Sequence, residues 1–115
     1  MKYLCLIYGE EAQRAKMTQE DGKKMMGDYQ AYTDSIRASG HYLGGDGLQP
    51  TTTATTVRVR DGKTATTDGP FAETKEQLGG YYAIEARDLN EAIQVASRIP
   101  GASTGSIEIR PVIVY

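Results

Sequence analysis

Runs of β-branched, aliphatic and aromatic residues alternate along the chain with segments in which apolar residues recur every three or four positions. The first run, residues 2–8, has apolar side chains on both faces of a strand and stops at Gly9. A polar loop then leads to Thr18. Because Thr18 and Asp21 have the spacing of a capping box, a helix is predicted to begin there.

Two amphipathic helices are predicted in all. The first has an apolar stripe formed by Met25, Met26, Tyr29, Tyr32 and Ile36. It ends at Ser39-Gly40, because glycine takes a left-handed C-cap without steric cost. The second begins near Asp88 and Glu91, which again resemble a capping box, and it stops at Pro100-Gly101.

The other β-prone runs predict five further strands. They span residues 41–48, 51–60, 63–67, 81–86 and 106–115. Asp61-Gly62 separates two of them and is typical of a two-residue hairpin turn, since type I′ turns need positive φ. This hairpin has few large apolar groups, so we expect it near a sheet edge. Residues 44–47 are rich in glycine but lack the following helix and the Lys-Ser/Thr of a phosphate loop, so they predict a bulge.

Residues 68–78 interrupt this pattern with the sequence DGPFAETKEQL. Gly69 precedes a proline and is therefore pushed toward extended geometry. Gly79-Gly80 closes the segment. We expect a structured loop here, with room for one helical turn.

The order strand, helix, strand, hairpin, strand, helix, strand predicts an α+β fold, a ferredoxin-like βαββαβ arrangement with an inserted β-hairpin. Both helices then cover one face of an antiparallel sheet. The other face should be polar in a monomer, yet the first and last strands and Tyr81-Tyr82 place apolar or aromatic groups on both faces. A second copy is the simplest cover. We therefore predict a homodimer that buries more than about 1,200 Å² in total.

Length, charge and cysteine content narrow the class of protein. A chain of 115 residues fits a single domain, residues 1–115. Its net charge of −2 and the lack of a Lys/Arg cluster disfavour a nucleic-acid partner. Cys5 is the only cysteine, so no intramolecular disulfide is expected. The first apolar run is too short for a signal-peptide core or a membrane span, and we expect a cytoplasmic protein without a membrane partner.

Four segments of the sequence also resemble segments of a known protein family. Residues 68–81, DGPFAETKEQLGGY, resemble the signature segment of YCII-related proteins of the DGPF type. The resemblance extends over nearly the whole chain and includes GLQP at 47–50, DLNEA at 88–92 and IEIRPV at 107–112. It implies a ferredoxin-like fold that forms a dimeric α+β barrel.

The resemblance implies less about function. Some DGPF-type proteins are associated with extracytoplasmic-function sigma factors, which implies a regulatory role and a regulatory protein partner. A related branch contains small enzymes that act on chlorinated aromatic rings and use a His–Asp pair as the proposed acid/base machinery. The first helix of this chain has no histidine, and the only histidine, His41, follows that helix. The pair is therefore not carried over.

Three residues are the candidates for catalysis. Asp68 and Glu73 belong to a group of carboxylates around a lysine, which can shift one another's pKa and transfer protons. Arg110 lies in a predicted strand, and its planar guanidinium suits a carboxylate or phosphate. The alternatives are structural: Asp68 accepts backbone hydrogen bonds in a turn, and Arg110 pairs with Glu108 or Glu85. We expect Arg110 to reach Asp68 or Glu73, in one chain or across the dimer.

Five further residues are candidates for binding a small-molecule substrate: Phe71, Lys75, Glu76, Tyr81 and Tyr82. Phe71 follows Pro70 and is predicted to anchor the loop in apolar surface. Tyr81 and Tyr82 should point to opposite faces of the sheet, and core packing is the alternative role for both. No cofactor and no metal is predicted, because His41 stands alone without other ligands at metal spacing.

Two functions stay open at this point. The first is a cofactor-independent isomerase- or lyase-like enzyme that acts on a small organic molecule. The second is a non-enzymatic ligand-sensing or regulatory protein, linked to sigma-factor-dependent transcription. Convergence of Asp68, Glu73 and Arg110 on one cavity would favour the enzyme. A solvated edge formed by Glu73, Lys75 and Glu76 would favour the second interpretation.

Overall fold

A computed structural model describes residues 1–115. The strands are β1 (Lys2–Gly9), β2 (Tyr42–Gly47), β3 (Thr55–Arg60), β4 (Lys63–Asp68), β5 (Gln77–Glu85) and β6 (Ser106–Pro111). The helices are α1 (Glu11–Arg14), α2 (Gln19–Ala38) and α3 (Leu89–Ala96). Two short 3₁₀ turns cover Thr51–Thr53 and Pro100–Ser103.

Four strands form the main sheet in the order β2-β5-β1-β6, and every neighbouring pair is antiparallel. The strands β3 and β4 form a separate two-stranded sheet. The predicted mixed α+β class is confirmed, and the order of the four main strands is compatible with a ferredoxin-like arrangement. The hairpin departs from the prediction, because it projects as its own ribbon and does not lie along the edge of the main sheet.

The helices α2 and α3 pack on the same face of the main sheet and enclose the core. The largest fully buried side chains are Ile36 of α2, Ile84 of β5, Cys5 of β1, and Ile99, which follows α3. The Tyr82 ring packs edge-on against Tyr32 of α2, with the ring centroids 5.2 Å apart. Cys5 is the free thiol of this core, and burial raises its pKa to about 11. No helix in the structure has both the length and the apolar character needed to cross a membrane.

The predicted helix starts are confirmed. Thr18 Oγ1 accepts a hydrogen bond from Asp21 N at 3.1 Å, and Asp21 Oδ2 accepts one from Thr18 N at 3.2 Å, so both halves of the capping box form. Asp88 caps α3 by accepting a hydrogen bond from Glu91 N at 2.9 Å. Gly40 takes the left-handed conformation with φ of 82°, as expected for the residue after Ser39.

The predicted turns are also observed. Asp61 and Gly62 have φ values of 51° and 75°, which fit the two central positions of a type I′ turn. The β2–β5 pairing shifts register between Tyr42 and Gly44, where the glycine-rich bulge was predicted. Both features arise from backbone conformations that the local sequence favours.

Several boundaries differ from the predictions. The polar loop after β1 contains the short helix α1, and residues 51–53 form a 3₁₀ turn before β3 begins. No helical turn forms between Asp68 and Gln77. β5 begins at Gln77, four residues earlier than predicted, because Gln77 and Leu78 pair with the end of β1. Strand pairing there outweighs the weak β-propensity of the Gly-Gly sequence.

Candidate functional site

The segment that connects β4 to β5, residues 69–76, forms one wall of a small cleft. We call this segment the signature loop and the space beside it the signature cleft. The cleft has a volume of about 280 Å³. It is lined by Thr51, Pro70, Ala72, Glu73, Thr74 and Gln77. Most of these side chains are polar, so the cleft offers hydrogen-bonding groups to a ligand.

Glu11 of α1 holds the 3₁₀ turn beside the cleft. Its carboxylate accepts hydrogen bonds from Thr51 N and Thr51 Oγ1, each at 2.8 Å. The backbone N–H of Glu11 donates to Gln77 Oε1 at 2.9 Å. Gln77 Nε2 in turn donates to the backbone oxygen of Thr74 at 2.6 Å. The helix α1 therefore ties the Thr51 wall of the cleft to the signature loop.

A second set of contacts fixes the end of the signature loop. Thr74 Oγ1 donates to the backbone oxygen of Glu76 at 2.6 Å. Glu76 Oε1 accepts a hydrogen bond from Ser106 Oγ at 2.8 Å, which joins the loop to the start of β6. Glu76, predicted as a binding residue, thus has a structural partner in the chain.

Of the predicted catalytic residues, only Glu73 lines the cleft. It is exposed, as is its neighbour Lys75, which forms no ion pair within 4.0 Å. Asp68 lies at the end of β4, exposed and opposite Thr55 in the hairpin ladder. Glu73 and Lys75 therefore form part of a solvated edge of the signature loop.

Arg110 lies away from the signature cleft within one chain. Its guanidinium Nη2 is 3.3 Å from Glu108 Oε2, and the side chain is 68% exposed. Ser106, which contacts the signature loop, lies four residues earlier in β6, a distance of about 13 Å along a strand. The expectation that Arg110 reaches Asp68 or Glu73 is therefore not met in the single chain, where the alternative partner Glu108 is found.

Phe71 does not anchor the signature loop. Its side chain is 78% exposed, so the prediction that it inserts into apolar surface is wrong within one chain. The flanking residues Pro70 and Ala72 line the cleft. The largest apolar side chain of the loop is therefore available for contact with another molecule.

The prediction that Tyr81 and Tyr82 point to opposite faces is confirmed. Tyr82 lies under α2, where its hydroxyl is 2.8 Å from Thr33 Oγ1. The Tyr81 hydroxyl donates to Asp46 Oδ2 at 2.6 Å on the other face. This hydrogen bond to a carboxylate raises the pKa of Tyr81. Tyr82 is a core residue, whereas Tyr81 lies on the face that no helix covers.

We call the face of the main sheet without helices the open face. Strand alternation places Leu4 and Leu6 of β1 and Ala83 of β5 on it, beside Tyr81. Glu108 and Arg110 of β6 lie on the same face, opposite Leu6 and Leu4 respectively. The centre of the open face is apolar, and a polar or charged pair lies toward each edge.

His41 has a structural environment. Its Nδ1 lies 2.7 Å from Ser39 Oγ, and its Nε2 lies 3.3 Å from Glu91 Oε1. Glu91 also accepts a hydrogen bond from the backbone N–H of Arg87, which is the main cause of its lowered pKa. No group of three or more His, Cys, Asp or Glu side chains is arranged to hold a metal ion.

Glu11 and Thr51 are the residues of the site that the sequence analysis missed. Glu11 lies in a segment with the polar composition of a loop, and its partner is 40 residues away in the chain. No local pattern marks such a contact.

The fold defines the class: a mixed α+β protein with a four-stranded antiparallel sheet and a separate hairpin. The chain belongs to the YCII-related domain family, whose model matches residues 1–115. It is 39% identical over 117 residues to uncharacterized protein R00369 of Rhizobium meliloti (strain 1021). That match covers 100% of this chain and 94% of the relative. The resemblance carried by the DGPF segment is confirmed.

Proposed function

We propose that this chain is a homodimeric binding domain that takes a small polar organic molecule in the signature cleft. The observation that carries the proposal is the cleft itself, whose hydrogen-bonding walls are held in place by Glu11 and Gln77. Its volume of about 280 Å³ lies just below the range of about 300–1,000 Å³ typical of ligand pockets. A ligand of a few non-hydrogen atoms would fit.

The lining favours binding over catalysis. General acid–base chemistry needs proton-transferring groups within hydrogen-bond reach of the reacting atoms. Glu73 is the only ionisable side chain that lines the cleft, and both Asp68 and Arg110 lie outside its lining. The isomerase or lyase interpretation would need a second copy to bring further groups to the cleft. A ligand-sensing domain needs none.

The chemistry of the lining also selects the ligand. Glu73 offers a carboxylate, and Thr51, Thr74 and Gln77 offer hydroxyl and amide groups. A molecule with an ammonium group and a hydroxyl group would satisfy both, because charge-assisted hydrogen bonds to a carboxylate are the stronger kind. An anionic molecule would meet repulsion from Glu73. We therefore propose a small amino alcohol or a similar cation as the ligand class.

The homodimer is supported by the open face. Leu4, Leu6 and Tyr81 lie there partly exposed, with no helix above them. Neighbouring apolar side chains on an uncovered sheet face support an interaction site there. A two-fold pairing would place the two open faces against each other, since a dimer of this symmetry uses the same patch on both copies. The homodimer is the proposed working form of the binding domain.

Titration with ethanolamine, with acetate as the anionic comparison, tests the ligand class. Amide chemical shifts of Thr51, Thr74 and Gln77 should move with ethanolamine and stay fixed with acetate. Glu73→Gln should weaken ethanolamine binding about 10- to 100-fold, the loss expected for a hydrogen bond to a charged group. Glu20→Gln, the same change on exposed α2, is the matched control and should leave binding unchanged. Equal responses to both compounds would contradict the proposal.

A further inference from the structure

The β3–β4 hairpin has almost no support from its own chain. We call residues Thr55–Asp68 the hairpin arm. Its two strands pair only with each other, and every residue of the arm except Thr56 is exposed. An isolated two-stranded hairpin is marginally stable in water, and packing against further structure is normally needed. A segment built in this way is expected to have a partner surface.

The two faces of the arm differ in chemistry. The strand register places Val57 beside Thr66 and Val59 beside Thr64 on one face, which we call the valine face. The opposite face carries the three cations Arg58, Arg60 and Lys63. Both valines are more than half exposed, at 58% and 57%. The valine face also carries Thr55, and Asp68 lies at its base. An antiparallel ribbon with mostly β-branched side chains on one face and cations on the other has the pattern of a sheet covered on one side only.

We infer that the valine face of the hairpin arm packs against a second copy of this chain, so that each copy clasps the other with its arm. This inference rests on the homodimer of the proposed function. It adds a second contact region to the open face and assigns a role to the hairpin. The cationic face of the arm stays in water, where three charges protect an otherwise open sheet edge.

The area available fits such a dimer. One face of a ribbon of two six-residue strands covers about 200 Å², taking about 3.3 Å per residue and about 4.8 Å between strands. The open face of the four-stranded sheet covers about 460 Å² by the same measure. The buried surface comprises two arms, the two surfaces that they touch and two open faces. Together these give about 1,700 Å², which is within the range of a standard stable interface.

A second copy accounts for these surfaces better than an unrelated protein does. The valine face and the open face are two separate apolar regions of one chain, and a single two-fold pairing covers both on each copy. A third exposed group supports the same arrangement. Phe71, 78% exposed, lies in the loop that continues from the arm, and Gly69 N donates to the Ala54 oxygen at 2.7 Å to close the arm's base. The signature cleft therefore lies beside the proposed subunit contact.

Mixed dimers test the arrangement directly. A nitroxide label is attached at Arg60→Cys, on the cationic face, in protein without ¹⁵N, and this protein is mixed with unmodified ¹⁵N-labelled protein. Cys5 is fully buried and does not compete for the label. Only contacts between copies then broaden the amide signals. The arm label should broaden amides of the partner copy strongly, whereas a label at Asp28→Cys on exposed α2 should broaden the same amides much less.

A pair of variants gives an independent measurement. Val57→Thr with Val59→Thr keeps the β-branched shape and adds polar groups to the valine face, and should raise the dimer dissociation constant about tenfold or more. Arg58→Thr with Arg60→Thr on the opposite face is the matched control and should change it less than about threefold. Core amide shifts report that both variants stay folded.

The outcomes separate this inference from the proposed function. If the unmodified protein is monomeric, both the homodimer and the contact of the hairpin arm with a second copy are wrong. The other contradicting result is a stable dimer in which the Arg60→Cys label causes no broadening and the two double variants have equal dissociation constants. It would overturn only the contact of the hairpin arm with the second copy. Strong broadening together with selective weakening by the valine variant would establish it.

Discussion

The Tyr81 hydroxyl donates to Asp46 Oδ2 at 2.6 Å and so joins β5 to the edge strand β2 on the open face. The two residues are direct cross-strand partners in the ladder. Loss of the phenolic proton would remove the donor and leave two negative oxygens in contact. The carboxylate therefore keeps Tyr81 protonated and raises its pKa.

Asp46→Asn should lower the pKa of Tyr81 toward its ordinary value of about 10, because the amide removes the negative charge beside the phenol. A spectrophotometric titration of phenolate formation, or the shift of the Tyr81 ring carbon bonded to oxygen, measures this change. Asp28→Asn on α2 is the control, since the Asp28 carboxylate pairs with Lys24 and accepts no hydrogen bond from a tyrosine hydroxyl. An unchanged Tyr81 pKa in Asp46→Asn would show that the hydrogen bond does not form in solution.

Stability should fall at alkaline pH. The pKa values of Tyr29 and Tyr82 are raised chiefly by burial, and that of Tyr81 by its hydrogen bond. A folded-state pKa above the unfolded value gives a contribution that is fully present below the unfolded pKa of about 10 and is lost as pH rises through the folded pKa. Urea denaturation across roughly pH 8 to pH 11, the window around that pKa, should show a free energy of unfolding that falls as the pH rises. A flat profile there would contradict these shifts.

Glu11→Ala should loosen the Thr51 wall of the signature cleft. The change removes two hydrogen bonds to a carboxylate and leaves the Thr51 N–H without its partner, at a cost of about 1–3 kcal/mol in the free energy of unfolding. Hydrogen exchange of the Thr51 amide should accelerate in the variant. Glu10→Ala is a matched control, since the Glu10 carboxylate forms no ion pair within 4.0 Å. Equal exchange rates in the two variants would argue against the Glu11 contact.

Thr18→Ala should cost about 1 kcal/mol in the free energy of unfolding, the typical loss when an N-cap side chain is removed. The physical reason is the loss of the hydrogen bond that Thr18 Oγ1 accepts from Asp21 N. Chemical denaturation measures the change. Thr52→Ala, in the exposed part of the 3₁₀ turn, serves as the comparison and should stay within about 0.5 kcal/mol of the unmodified protein.

Features set by neighbouring residues could be predicted from the sequence. The capping box of Thr18 and the positive φ of Gly62 follow from interactions within a few residues, and both are observed. The opposite orientation of Tyr81 and Tyr82 follows from strand alternation. In each case the signal and the structure lie within the same short segment.

Features that depend on distant partners could not be predicted in this way. The Glu11–Thr51 contact spans 40 residues, and the early start of β5 at Gln77 depends on pairing with Gly9. The exposure of Phe71 is a property of how the signature loop turns, which the aromatic side chain itself does not determine. The sequence identified the signature loop, but it did not identify the hydrogen bonds of Glu11 that hold the loop and the cleft wall in place.

The open face and the hairpin arm together make the homodimer the central claim. Sedimentation equilibrium of the unmodified protein at micromolar concentration tests it most directly, because the chain mass is 12.5 kDa and the two states differ twofold. The predicted result is a single species with twice the chain mass, stable on dilution through the micromolar range. A species with the mass of one chain under these conditions would contradict the claim and leave the apolar open face without the partner proposed for it.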